Sequence, residues 1–156
     1  DGENGGRYAA DALAAKVAAL WGECHDHRYV VLTGGEPMLQ VDDALVDALH
    51  SEGFEIAIES NGTIPVHAGI DWVCISPKAG SDVIQRSGDE LKLVWPQPGS
   101  DVDSLEGWAF AHFLIQPMDS GGTEANDANR KAAIELVSAR PKWRLSLQNH
   151  KLLGLP

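Results

Sequence analysis

Apolar residues recur at spacings of three and four between Ala9 and Cys24, where Leu13, Val17, Leu20 and Cys24 share one side and alanines fill the gaps. That periodicity predicts a helix. The run "RYVVLT" is dense in apolar and β-branched residues and predicts a strand. From Met38 to Ser51 the helical spacing returns, with Val41, Ala44, Leu45, Ala48 and Leu49 on one face. Asp42 and Asp43 stand near its start, where the helix dipole favours acids, and Gly53 follows its end. "FEIAIE", "DWVCIS", "ELKLVW", "FAHFLIQ" and "WRLSLQ" predict further strands, with a loop from Lys78 to Asp89. A helix is expected from Asp127 to Ala139, stopped by Pro141, and "NHKLLGLP" closes the chain. Strands alternating with helices or short connections predict one α/β domain over 1–156 with a mostly parallel sheet.

Composition narrows the class. The 156 residues are 44% hydrophobic, enough for a sizeable core. No apolar run reaches the ~18 residues of a membrane span, and no secretory leader is recognisable, so a soluble cytoplasmic protein is expected. With 12 Lys+Arg against 23 Asp+Glu, the surface lacks the basic stripe that a nucleic-acid partner requires. A small anionic ligand at a local cation is still compatible with that charge.

Candidate chemistry collects at strand ends. "VVL" runs into Thr33, Gly34, Gly35, Glu36 and Pro37; "IAI" into Glu59, Ser60, Asn61 and Gly62; "VCI" into Ser76, Pro77 and Lys78. "FLI" runs into Gln116, Pro117, Met118 and Asp119, and "LSL" into Gln148, Asn149, His150 and Lys151. Carboxyl ends of parallel strands form the ligand-facing rim of α/β folds. Turn chemistry favours Gly, Pro, Asn and Asp but has little use for repeated Gln, Glu and Lys, so the pattern predicts one site built from these ends.

At "GGEP" the absent side chains expose backbone carbonyls, which suit the donors-only ammonium of an amino-acid head group, with the Glu36 carboxylate beside them. A tight turn with Pro at the first helical position also accounts for this stretch. Neither phosphate-binding glycine pattern occurs. Glu59 is a candidate for a ribose hydroxyl pair, Lys78 for a carboxylate, and Pro117-Met118 between Gln116 and Asp119 for a flat base. Each of these also reads as an ordinary strand-end or loop residue. "ECHDH" at Glu23–His27 suggests a metal cluster at a glance, but its ligands are nearly adjacent and Cys24 lies on the apolar side of the first helix. Cys74, inside an apolar strand, reads as core.

Taken together, "TGGEP" after a strand, "ESNGT", "SPK", "LKLV", "QPMD" and the terminal "QNHKLLGLP" resemble the 7-carboxy-7-deazaguanine synthases, a radical S-adenosylmethionine family of deazapurine (queuosine) biosynthesis. The resemblance runs over essentially the whole chain. "GGEP" is common to many radical S-adenosylmethionine enzymes, glycyl-radical activases among them, whereas "SPK", "QPMD" and the Pro-ended tail narrow the match.

The resemblance implies an incomplete (β/α) barrel and a homodimer. It also implies a carbon–nitrogen lyase converting 6-carboxy-5,6,7,8-tetrahydropterin to 7-carboxy-7-deazaguanine with loss of ammonia. The implied cofactors are S-adenosylmethionine, a [4Fe-4S] cluster and Mg2+, with an external flavodoxin-like one-electron donor. By position, Gly34, Gly35 and Glu36 would meet the methionine end of the cofactor and Glu59 its ribose. Ser76, Pro77 and Lys78 would contact it too, and Gln116, Pro117, Met118 and Asp119 would surround its adenine. Thr33, His150 and the Pro156 carboxylate would reach the pterin. The cluster cysteines, the Mg2+ ligand, a substrate loop and a first strand are expected before Asp1. The chain as given is therefore expected not to turn over, and a cluster-less ligand-binding remnant is the non-enzymatic alternative.

Overall fold

The computed structural model describes residues 5–154. Six strands form one sheet in chain order, β1 (Tyr29–Leu32), β2 (Glu55–Ser60), β3 (Trp72–Ile75), β4 (Ser87–Trp95), β5 (Ala109–Pro117) and β6 (Trp143–Leu145). Every neighbouring pair is parallel, and β1 and β6 do not pair, so the sheet is an open, incomplete barrel. A parallel sheet needs crossovers. These come from helices α2 (Asp43–Ser51), α3 (Val102–Glu106) and α4 (Thr123–Ala139) and from two loops, while α1 (Ala10–Trp21) and α5 (Asn149–Leu153) flank the sheet in sequence.

Successive side chains of a strand face opposite ways. One face of the sheet carries Ile56, Ile58, Ile75, Leu91, Leu93 and Ile115, all 0% exposed. Ile56 and Ile58 pack with Ala14 of α1 and Leu45, Val46 and Leu49 of α2. The others pack with Val102 and Leu105 of α3 and Ala133 of α4. The opposite face carries Glu59, Cys74, Glu90, Lys92 and Gln116.

Local chemistry explains where the helices depart from the periodicity. The stretch expected to be one helix from Met38 to Ser51 is split. Glu36 accepts from the Met38 N–H and caps a 3-10 turn over Pro37–Leu39. The chain then reopens, and Asp42 caps α2 by accepting from the Leu45 N–H at 2.9 Å. Val41 therefore lies between the two elements. The first helix ends at Trp21 rather than Cys24, because Gly22 turns the chain at φ 92°. α4 begins four residues before Asp127, and β4 already starts at Ser87, where Ser87 and Gly88 pair with Ala109 and Phe110. The expected strand "WRLSLQ" stops at Leu145. α3 and α5, five residues each, are too short to show a period and had no counterpart in the sequence pattern.

Candidate functional site

The polar strand ends come together on one side of the sheet. At the end of β1, Gly34 and Gly35 take φ values of 88° and 56°, a region L side chains rarely enter, and a Cβ on either would meet nothing within 4 Å. These glycines therefore leave open space beside a strand end. Thr33 is exposed next to them. Glu36 is held from within: Ser60 Oγ donates to its carboxylate at 2.9 and 3.0 Å, and the Asn61 N–H donates to Oε2 at 2.9 Å. Since Oε1 also accepts from Met38, the carboxylate ties the end of β1 to the end of β2.

Beside this turn lies a groove of about 430 Å³ lined by Glu59, Ser76, Lys78, Lys92, Gln116 and Gln148, among others. Lys78 Nζ donates to Ser76 Oγ at 3.0 Å. Partial burial moves the Lys78 ammonium below the usual lysine value, and the like charge of Lys92 adds to that shift. Lys92 forms an ion pair with Glu59 Oε1. A second, smaller cleft of about 110 Å³ is lined by Pro117, Met118, Asp119, Asn126, Arg130 and Lys151, and shares Leu147 and Gln148 with the first. Its carboxylate, Asp119, is held down to about 2, chiefly by Lys151 and then by the Gly121 N–H and the Asn126 amide. Pro77 is buried and turns elsewhere. It lines a separate cleft of about 170 Å³, and its carbonyl accepts from Gln97 Nε2 at 3.2 Å.

A chain-wide comparison decides the family. No protein-family model matches the sequence. The chain is 54% identical over 156 residues to the 7-carboxy-7-deazaguanine synthase of Bradyrhizobium diazoefficiens, covering 99% of this chain and 73% of that protein. It is 52% identical over 157 residues to the synthase of Caulobacter vibrioides, again covering 73% of the relative. The chain belongs to the 7-carboxy-7-deazaguanine synthase family. Among solved structures, QueE from Escherichia coli superposes with a TM-score of 0.67 at 27% identity, covering 90% of this chain and 64% of that one. The deazaguanine synthase fold is thus shared, and this chain spans just under two thirds of that solved chain.

Within this family frame, Glu59, Ser76, Lys78 and Gln116 share the larger groove, while Pro117, Met118 and Asp119 share the smaller one. Gly34 and Gly35 border open space at the next strand end. His150 falls in α5, and Pro156 lies outside the described residues. The strand-end pattern does not single out Lys92, yet a lysine inside the apolar strand "LKLV" is the kind of signal that reveals a groove-lining cation. Lys151 belongs to the strand-end pattern, whereas Asn126 and Arg130 do not, because the folding of α4 against the Asp119 loop is not visible in local pattern.

The described residues do not fit an iron–sulfur cluster. No group of three His, Cys, Asp or Glu side chains that could hold a metal occurs among them. Cys24 is exposed on the loop after α1, whereas Cys74 is buried in β3. Burial pushes the Cys74 thiol up to about 12, partly opposed by Lys92, so it lacks the thiolate character of a cluster ligand. "ECHDH" likewise forms no metal site among the described residues.

Proposed function

We propose that this chain contributes the cofactor- and pterin-binding part of a 7-carboxy-7-deazaguanine synthase, a radical S-adenosylmethionine lyase converting 6-carboxy-5,6,7,8-tetrahydropterin to 7-carboxy-7-deazaguanine with loss of ammonia. The observation that carries the reading is the convergence of Glu59, Ser76, Lys78 and Gln116 on one groove in a chain of this family.

S-adenosylmethionine fits the residues present. When bound, and given one electron from an external donor so that its C5′–S bond breaks and methionine is released, it would supply the 5′-carbon as the acceptor of the pterin's C6 hydrogen. The space at Gly34 and Gly35 accommodates its amino-acid end, with strand-end carbonyls as acceptors for the ammonium. Glu36, engaged by Ser60 and Asn61, shapes that turn and adds negative charge near it. Glu59 accepts the ribose hydroxyls, Ser76 and Lys78 supply a hydroxyl and a cation, and Pro77 fixes the backbone between them. Gln116 and Asp119 offer polar groups to the adenine, with Pro117 and Met118 as the apolar surface beneath it. Thr33, His150 and Pro156 are assigned to the pterin.

A [4Fe-4S] cluster, Mg2+, a flavodoxin-like reductant, a cytoplasmic location, a single domain and a homodimer belong to the same reading. No helix of the described residues is long and apolar enough to cross a membrane.

The test is anaerobic incubation of the whole protein with S-adenosylmethionine, the carboxytetrahydropterin and a chemical reductant. Formation of 7-carboxy-7-deazaguanine is expected. Cofactor cleavage without the deazapurine would point to another radical S-adenosylmethionine reaction, such as activase chemistry. Binding without any cleavage would leave a ligand-binding remnant.

A further inference from the structure

The sheet face that bears Glu59 also bears a cation, Lys92, that the family reading leaves unused. Lys92, in the middle of β4, has a side chain only 12% exposed, and its ammonium meets Oε1 of Glu59, whose side chain is 40% exposed toward the groove. Around this pair stand Cys74 on β3, Glu90 two residues earlier on β4, and Lys78 on the loop after β3. Among the described residues, Glu59 Oε2 has no protein partner, whereas Oε1 is held by Lys92. A glutamate has three rotatable side-chain bonds, and without a fixed partner its carboxylate samples several orientations at an entropic cost on binding. A buried lysine, for its part, requires a counter-charge.

We infer that Lys92 is a positioning residue of the ribose subsite: it pins one oxygen of Glu59 so that the other is presented to a vicinal diol in the groove. The inference rests on the reading of Glu59 as the ribose acceptor. Lys92 does not touch the ligand in this role. It converts a mobile carboxylate into a fixed acceptor, so its effect is confined to ligands that carry the hydroxyls.

That confinement separates positioning from general support of the fold. Calorimetry on the whole protein would compare S-adenosylhomocysteine with its 2′,3′-dideoxy analogue. Lys92→Met keeps the aliphatic stem and removes the charge. It is expected to weaken S-adenosylhomocysteine about 10-fold, the loss of one charge-assisted interaction, while moving the dideoxy analogue by less than about 2-fold. Lys92→Arg is expected to recover part of the loss. Glu59→Gln is expected to reproduce it, and the double variant to be no weaker than either single one, because the two residues act as one unit. Lys92→Gln gives the same comparison should methionine compromise folding.

Equal weakening of both ligands by Lys92→Met, or no weakening of either, overturns the inference. If Glu59→Gln leaves the preference for the hydroxylated ligand intact, the ribose reading of Glu59 itself is overturned. If Glu59→Gln abolishes that preference while Lys92→Met preserves it, only the role of Lys92 is lost.

Discussion

Ser60 is 2% exposed, and its hydroxyl stands at a junction: it donates to the Glu36 carboxylate and accepts from the Gly62 N–H at 3.0 Å. Ser60→Ala removes both interactions and orphans the Gly62 N–H in a buried place. A loss of about 1–3 kcal/mol is expected, together with a loosened "GGEP" turn, read by denaturant unfolding and by S-adenosylhomocysteine affinity. Gly62 itself cannot change, since a Cβ there would lie 2.9 Å from both Ile75 and Val83 at a φ of +79°. Gly35 differs in kind. Its φ of +56° strains any L residue by about 1–2 kcal/mol, yet the space around it is empty. Gly35→Val is expected to leave the protein folded and to abolish measurable cofactor affinity, because the branched side chain would project into the space assigned to the methionine head. Unchanged affinity by calorimetry would remove the head-group assignment.

Among the secondary elements, one buried cation organises the amino-terminal half. Arg28 is 5% exposed. Its guanidinium donates to the carbonyls of Gly22 at 3.3 Å, Cys24 at 3.3 Å and Glu52 at 2.6 Å, and lies over the Phe54 ring. Gly22 and Glu52 are the residues that end α1 and α2, so one side chain satisfies carbonyls at both helix ends. Arg28→Ala is expected to cost about 3 kcal/mol and Arg28→Lys nearly as much, because an ammonium cannot span three carbonyls with the fixed fork of a guanidinium. Thermal unfolding would show this. Binding at the groove should change little, since Arg28 acts at the ends of α1 and α2 and does not line it.

For the whole molecule, Asp119 and Cys74 are two of the shifted groups through which stability responds to pH. The Asp119 carboxyl is depressed from 3.8 to about 2, so its stabilising contacts persist above the ordinary value and are lost as pH falls toward about 2. The stability deficit of Asp119→Asn should therefore shrink as pH falls from about 4 to about 2, as measured by paired unfolding curves. The Cys74 thiol is raised from 9.0 to about 12. Its contribution is intact below the ordinary thiol value and lost as pH rises toward about 12, since the unfolded chain then ionises first. At pH 8 an alkylating reagent is expected to label Cys24 rapidly and Cys74 only through unfolding, which mass spectrometry of timed samples would test.

Much of this molecule follows from local pattern. All six strands were legible, because apolar runs bounded by Gly, Pro and polar residues encode buried parallel strands, and so was the gathering of polar residues at strand ends. Repeated Gln, Glu and Lys where a turn would want Gly or Asn single out Glu59, Lys78 and Gln116 at strand ends, and all three line the groove. Tertiary contacts decided what periodicity could not. The break at Gln40–Asp42 depends on the caps from Glu36 and Asp42, and five-residue helices have no period to read. The engagement of Glu36 by Ser60 and Asn61, and of Glu59 by Lys92, joins residues 24 to 33 positions apart. Such pairs arise only when parallel strands set the register, because the sequence names the charged groups but only the folded sheet brings them within reach.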